Sequence, residues 1–341
     1  WYVKETNDIG ILEEPIAYYD SDEKSSVITH MKCALQFTAT HLGTHGLPLL
    51  GFADWNDTVN LSSGAESVFT ACLYGFVLKE AEDLFRKIDD YDYTGFCSQQ
   101  YIDMSYTVQE TAWDGKWFIR YFDEAGKPIG SVNNSKGKIY ANAQSWPVIC
   151  GFASDYQAKV ALDSVDKLLA TEFGCKLSWP GYDCYDRSIG GVSSYPPGAK
   201  ENGGIFMHAN PWMVIANLEA GNIERAYRYF QAINPASKNE MIERYECEPY
   251  VFPQNVLGDE HPQFGLARNT WLTGSASWAL VCIQRYMFGV QPFYDHLKIE
   301  PNLPEYWKEC CFLRRFQNKR YKMRIKKIVG IPGWTVDKQY R

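Results

Sequence analysis

Asp54-Trp55-Asn56-Asp57 sets two carboxylates three residues apart, one on each side of an indole. Against an aromatic wall the charged form of a carboxyl is disfavoured, so its pKa rises toward the range useful for a general acid. The indole also offers a flat face to a sugar. The same four residues are open to a plainer reading, a pair of loop-capping aspartates beside a core tryptophan. A second concentration runs from Tyr195 to His208, with Pro196-Pro197, Gly198, Gly203 and Gly204 framing Lys200, Glu201 and His208. Prolines fix φ and glycines permit left-handed backbone, so this loop holds a defined shape, and its density of titratable groups points to function. A third, Arg268-Asn269-Thr270-Trp271-Leu272-Thr273-Gly274-Ser275, places hydroxyls and a glycine at a helix N-terminus, where free N–H groups and the dipole favour an anion such as phosphate. An ordinary Thr or Ser N-cap gives the same pattern. Gln254 and Asp259-Glu260-His261 lie just upstream, in a loop with Pro253 and Gly258. His41 and His45 have the spacing of a helical metal pair, but Gly43 interrupts it, and no metal is expected. There is no Walker loop, dinucleotide glycine fingerprint, H-E-x-x-H or G-x-S-x-G, which argues against nucleotide cofactors, zinc hydrolysis and esterase chemistry.

These loops need a scaffold, and its periodicity is mainly helical. Val27, Met31, Leu35 and Thr38 predict a helix over 25–42, and Leu73, Phe76, Val77, Ala81, Leu84, Phe85 and Ile88 predict another beyond the acidic loop. Ser154-Asp155-Tyr156-Gln157 fits a capping box, with Gly174 as a candidate stop. Asn210-Pro211 starts a helix closed by Gly221, Asn222 starts its hairpin partner, and a last helix spans about 275–288. Residues 117–122 read as a strand entering a turn, and from His296 onward Tyr321, Met323 and Ile325 alternate with Lys322, Arg324 and Lys326, the period of a half-buried strand. The expectation is a mainly α fold, an α/α toroid over residues 1–289 whose loops form a pocket, followed by a β-rich module over 290–341.

The chain has 341 residues, 45% hydrophobic and 15% aromatic, enough to bury one large core or two modest ones and too apolar for a disordered tail. No stretch approaches the roughly 20 apolar residues of a membrane helix, and no basic-then-apolar leader pattern opens the chain. With 34 Lys and Arg against 41 Asp and Glu, the net charge of -7 disfavours nucleic acid or an anionic membrane as partner. Residues 312–328 carry eight basic side chains and no acidic one, yet their alternation with apolar residues suits a solvated strand face. The ten cysteines are scattered without a C-x-x-C pair, as in a cytoplasmic protein with reduced thiols. Because the first methionine is Met31 and motif-dense sequence begins by Gly51, the chain reads as the C-terminal part of something longer.

Taken in order, Gly51-Phe52-Ala53-Asp54-Trp55-Asn56-Asp57, Trp113-Asp114-Gly115-Lys116-Trp117, Ala143-Gln144-Ser145-Trp146, Tyr195-Pro196-Pro197-Gly198-Ala199-Lys200-Glu201-Asn202-Gly203-Gly204 and Thr273-Gly274 resemble the glycoside phosphorylases of glycoside hydrolase family 94. That family includes cellobiose, chitobiose, laminaribiose and cellodextrin phosphorylases. The resemblance implies the later part of an (α/α)6 barrel and a C-terminal jelly-roll-like module, the family's upstream β-sandwich, linker and donor-site arginines lying outside this chain. It implies Asp57 as the general acid, Trp55 in the donor sugar site, and Asp54 as a structural or orienting residue. Tyr195, Lys200 and Glu201 match the sugar-binding loop, and Gln254 a donor-site position close to phosphate. His208, Thr273 and Gly274 match phosphate-binding positions.

The activity so implied is inverting phosphorolysis of a β-linked gluco-disaccharide or short oligosaccharide, cellobiose being the leading substrate. Phosphate is a co-substrate, no cofactor or metal is required, and the family's members are often homodimers. A single carboxylic acid is enough, because phosphate is already a nucleophile and needs no second carboxylate to activate it. This chain alone is expected to lack part of the machinery. Where family members of cellobiose specificity carry an acidic residue before Tyr-Pro-Pro-Gly, this chain has Gly190-Gly191-Val192-Ser193-Ser194, which leaves the acceptor open. Two other readings stand beside it, an inverting hydrolase in which a carboxylate such as Glu201 activates water, and a truncated, non-catalytic carbohydrate-binding chain.

Overall fold

A computed structural model of the chain describes residues 1–51, 53–328 and 333–340; Phe52 of the acidic-loop motif and residues 329–332 of the C-terminal module lie outside the described residues. Helix outweighs strand, 42% against 19%, so the fold is mainly α. The chain divides into two compact units, Thr38–Ala279 and Trp1–Phe37 with Leu280–Arg341.

Helices α1 (Tyr2–Thr6) and α2 (Val27–Thr40) come first in the chain. The larger unit is then built on α3 (Val68–Lys87), α4 (Tyr91–Thr111), α5 (Ala141–Cys150), α6 (Asp155–Leu168), α7 (Asn210–Glu219) and α8 (Ile223–Ile233). Helix α3 packs on α4 and α5, α5 on α6 and α7, and α7 on α8. Helices α3, α5 and α7 therefore form a contiguous row, each backed by the helix that follows it. The sequence dictates this division. Every residue of α7 from Asn210 to Leu218 is buried, and in α5 all but Val148 and Ile149 are, whereas α8 buries only Ala226, Tyr227, Tyr229 and Ile233. Such all-round burial makes α5 and α7 internal, and α8, buried along one face, covers α7. The capping box is formed at α6, with Ser154 and Gln157 exchanging both bonds, but α6 ends at Leu168. Gly174 instead lies in a two-residue strand with Cys175. After the short α9 (Ile242–Tyr245), α10 covers Ser275–Val281 and continues as wider, π-type turns through Met287.

Small strands tie the loops to this frame. Of the run 117–122, Tyr121–Phe122 pairs with Glu66–Ser67 on one side and Pro128–Ile129 on the other, and Phe118 forms a single antiparallel bridge with Trp113. A second ribbon joins Ile205–Phe206 to Pro253–Val256 and that strand to Ala267–Thr270, all antiparallel. Beneath it Phe173, Met207, Ile233, Tyr245 and Val251 form one apolar cluster. In the smaller unit, Glu309–Phe316, Lys319–Lys326 and Thr335–Tyr340 form an antiparallel sheet in which Met323 and Ile325 are buried. Its basic side chains meet carboxylates: Arg314 with Glu5, Arg324 with Glu309, Lys326 with Asp337 and Lys327 with Glu305. No helix among the described residues is long and apolar enough to cross a membrane.

Candidate active site

The acidic loop is held from below by a buried polar cluster. The Asp54 carboxylate pairs with the guanidinium of Arg120, both side chains being fully buried. Asp54 also accepts from the Tyr121 hydroxyl at 2.7 Å, from Ser67 at 3.1 Å and from the Asn56 amide at 3.0 Å. Arg120 donates further to Asn56 Oδ1 at 2.8 Å, and Asn142 of α5 reaches the same oxygen at 3.2 Å. Burial pulls the Asp54 pKa upward, but Arg120 and these hydrogen bonds outweigh it and leave it below the usual carboxylate range. Asp54 is thus an anchored anion, contrary to the raised pKa expected for a carboxyl of this loop. What the anchor fixes is the direction of its neighbours: Trp55 lies among Trp212, Phe206 and His208, with ring centroids 5.0, 5.5 and 5.5 Å away, and Asp57 is exposed. Main-chain bonds from Val192 to Thr58 (2.7 Å) and from Asn60 to Ile189 (3.1 Å) clamp the far end of the loop.

The Tyr195–His208 loop is shaped as its prolines and glycines predict. Asn202, fully buried, accepts from the Tyr182 amide and donates to the carbonyls of Tyr182 and Tyr195, at 2.7 to 2.8 Å. Gly198 has φ +82°, and a Cβ there would lie 2.7 Å from the His261 amide nitrogen, so only glycine fits.

Together these loops enclose a cleft of about 440 Å³ lined by Trp55, Asp57, Tyr195, Lys200, Glu201, Gln254 and His208. Seven residues from three separate stretches of sequence therefore meet in one place. Thr273 and Gly274 are not among its lining residues. Gly274 lies against His208, where a Cβ would sit 3.4 Å from the ring, and Thr273 Oγ1 accepts from the Ser275 amide at 3.2 Å just before α10. Thr58 and Phe206 also line the cleft and carried no sequence signal beyond adjacency to Asp57 and His208. Thr58 donates its hydroxyl to the Glu201 carboxylate.

Glu201 is the perturbed carboxyl. Burial and, against the pull of Thr58, the charge of Asp57 push its pKa up to about 7. Burial alone lowers the His208 pKa, so the ring is neutral at pH 7 and available as a hydrogen-bond donor. The raised Glu201 pKa has a stability consequence. A carboxyl whose folded pKa exceeds its unfolded value contributes stability that is full below the unfolded pKa of about 4.3 and is lost as pH rises through the folded one. Glu201→Gln should therefore melt a few degrees above the parent at pH 8 but not at pH 4. The same increment at both pH values would count against a proton held at Glu201.

The family model described as "Glycosyl hydrolase 94 superfamily, catalytic domain" matches residues 1–289. The chain belongs to that superfamily. This glycosyl hydrolase 94 chain is 33% identical over 331 residues to N,N'-diacetylchitobiose phosphorylase of Vibrio proteolyticus, covering 95% of the chain and 40% of the relative. Solabiose phosphorylase of Paenibacillus borealis is 32% identical, over 98% of the chain and 45% of the relative. Cyclic beta-(1,2)-glucan synthase NdvB of Rhizobium meliloti is 30% identical over 84% of the chain and 10% of its own length. The chain thus spans less than half the length of the curated relatives it matches. Among solved structures, a sialidase superposes with TM-score 0.62 at 10% identity, covering 92% of this chain and 29% of that one. The GH78 family rhamnosidase of Bacillus sp. GL1 gives 0.60 at 12% identity, covering 99% and 31%. At these identities the likeness is one of fold.

Proposed function

We propose that the protein containing this chain is an inverting glycoside phosphorylase. It cleaves a β-linked gluco-disaccharide or short oligosaccharide, cellobiose-like, with inorganic phosphate, giving an α-sugar 1-phosphate and a shortened sugar. Asp57 protonates the glycosidic oxygen as the C–O bond breaks, while a phosphate oxygen forms the new bond to the anomeric carbon from the opposite face. Trp55, Tyr195, Lys200, Glu201 and Gln254 hold the sugars, and His208, Thr273 and Gly274 hold phosphate. In this reading residues 1–289 are the later part of an (α/α)6 barrel and 290–341 a jelly-roll-like module, in a cytoplasmic homodimer that needs no cofactor. The pairing of α3 with α4, α5 with α6 and α7 with α8 suits half of such a barrel.

The observation that carries the reaction type is the convergence of Asp57, Glu201 and His208 on one cleft. An inverting hydrolase separates its acid and base by roughly 6.5–9.5 Å to admit a water. Glu201 has its pKa raised to about 7, so near neutral pH it holds a proton rather than standing as the ionised base that would activate such a water. A nucleophile supplied from the His208 side needs no such base. The relatives named for chitobiose and solabiose differ in substrate, so the acceptor is read from experiment. The longest native polypeptide containing this chain is incubated with cellobiose, laminaribiose, chitobiose and cellodextrins, with and without phosphate. Phosphate-dependent release of an α-sugar 1-phosphate is expected, and phosphate-independent release of free sugars would replace this reading with a hydrolase.

A further inference from the structure

Behind the sugar-binding loop lies a second cleft, of about 260 Å³, whose lining includes Lys200, Asn255, His261, Arg268 and Asn269. It shares Tyr195 and Lys200 with the first, the Lys200 ammonium sitting 5.1 Å over the Tyr195 ring, and Asn269 of its lining donates to Gln254 of the first at 3.0 Å. Three features of this cleft come from different stretches of sequence and converge on one chemistry. The strands Pro253–Val256 and Ala267–Thr270 set Asn255 directly opposite Arg268. The Lys200 amide, at φ +49°, donates to Asn255 Oδ1 at 3.4 Å, which brings the base of the lysine to the same point. Asn255 is fully buried, yet its Nδ2 has no hydrogen-bond partner.

A buried amide donor left unpaired is rare in a folded protein, and a group that faces a cleft is satisfied by what enters it. The charges say what that is. Among the described residues Lys200 and Arg268 have no carboxylate partner, and no acidic side chain lines the cleft. His261 Nδ1 accepts from the Gln263 amide at 3.1 Å, which leaves Nε2 as the ring's donor. The one amide oxygen of Asn255 is already engaged by Lys200. Tyr195, Gln263 and Asn269 add neutral oxygens to the lining, but its only charges are the cations Lys200 and Arg268, and a site of that sign favours an anion over a neutral sugar hydroxyl.

We propose that this cleft is a second anion site, which binds a phosphate dianion or the phosphoryl group of a phosphate monoester, distinct from the position beside His208. The proposal does not depend on the phosphorylase reading. It is tested by equilibrium dialysis of labelled inorganic phosphate against the longest native polypeptide containing this chain, the parent compared with Arg268→Gln and His208→Asn. Arg268 is exposed, so its replacement leaves the fold intact. The expected result is a phosphate in the parent that Arg268→Gln loses, with affinity reduced at least 10-fold, and that His208→Asn retains. A phosphate lost only in His208→Asn would support the reactive position and overturn the second site, as would no difference between Arg268→Gln and the parent. In the His208→Asn protein, displacement by methyl phosphate would assign the site to phosphate monoesters, and resistance to it would assign the free ion.

Discussion

Asp57→Asn in the full-length protein should lower kcat for phosphorolysis roughly 10³-fold with little change in KM or in melting temperature. Asp57 is exposed at the mouth of the cleft and the loop is anchored by Asp54 rather than by Asp57, so the fold does not need its charge. The loss should depend on the leaving group. An alkoxide cannot depart without a proton, whereas a nitrophenolate can, so the variant should retain most of its activity on an aryl β-glycoside with phosphate. A second consequence is electrostatic. Asp57 helps to hold the Glu201 pKa up, so its removal should bring Glu201 down toward the ordinary glutamate range. The limb near 7 in the pH profile on the aryl substrate then moves to lower pH. Full activity on a natural disaccharide, or an equal loss on both substrates, would remove Asp57 from the role of acid.

The parts of this picture that sequence could supply are those written in local spacing. Capping residues and single-faced stripes located α2, α3, α6, α7 and α8, because each has a polar side to contrast with its buried one or a cap with a fixed pattern. Two of the long helices had no such signal. In α5 burial is nearly complete, so Asn142, Gln144 and Ser145 sit inside and no period survives. Gln144 is there to pair with the backbone of Phe118 at 2.8 and 2.9 Å, a need that exists only once the chain has folded. In α4 only Cys97, Met104 and Val108 are buried while Ile102 and Tyr106 are exposed, which blurs the stripe. The cleft residues were found because rigid breakers and clustered titratable groups stand out in any loop. Which carboxyl carries the raised pKa was not readable, since it depends on Arg120 reaching Asp54 across 66 positions and on the burial of Glu201 near the charge of Asp57, a residue of another loop.

That reach makes Arg120 the residue whose loss should do most damage outside the cleft. Arg120→Met removes the partner of a fully buried carboxylate and two of the donors that fix Ser67 and Asn56. Breaking a buried pair from one side costs about 3–5 kcal/mol, because the remaining charge is left without compensation. Replacing both partners, as in Arg120→Met with Asp54→Asn, should recover part of that loss, and the difference between the two variants measures the unpaired charge. The pH dependence has a definite sign. Asp54 has a depressed folded pKa, so the stability it contributes is present above the unfolded value of about 3.9 and disappears as pH falls through the folded one. The parent should therefore lose stability on acidification below about pH 4. In Arg120→Met the stabilising partner is gone, and the same acidification should recover stability, because protonation relieves the stranded carboxylate. Below its melting temperature the single variant should show reduced kcat on natural disaccharides, since Trp55 and Asp57 no longer hang from a fixed anchor. Melting curves from pH 3 to 8 read the first effect and steady-state kinetics the second. A variant that melts like the parent at every pH would mean that the Arg120 pair carries neither the loop's stability nor its geometry.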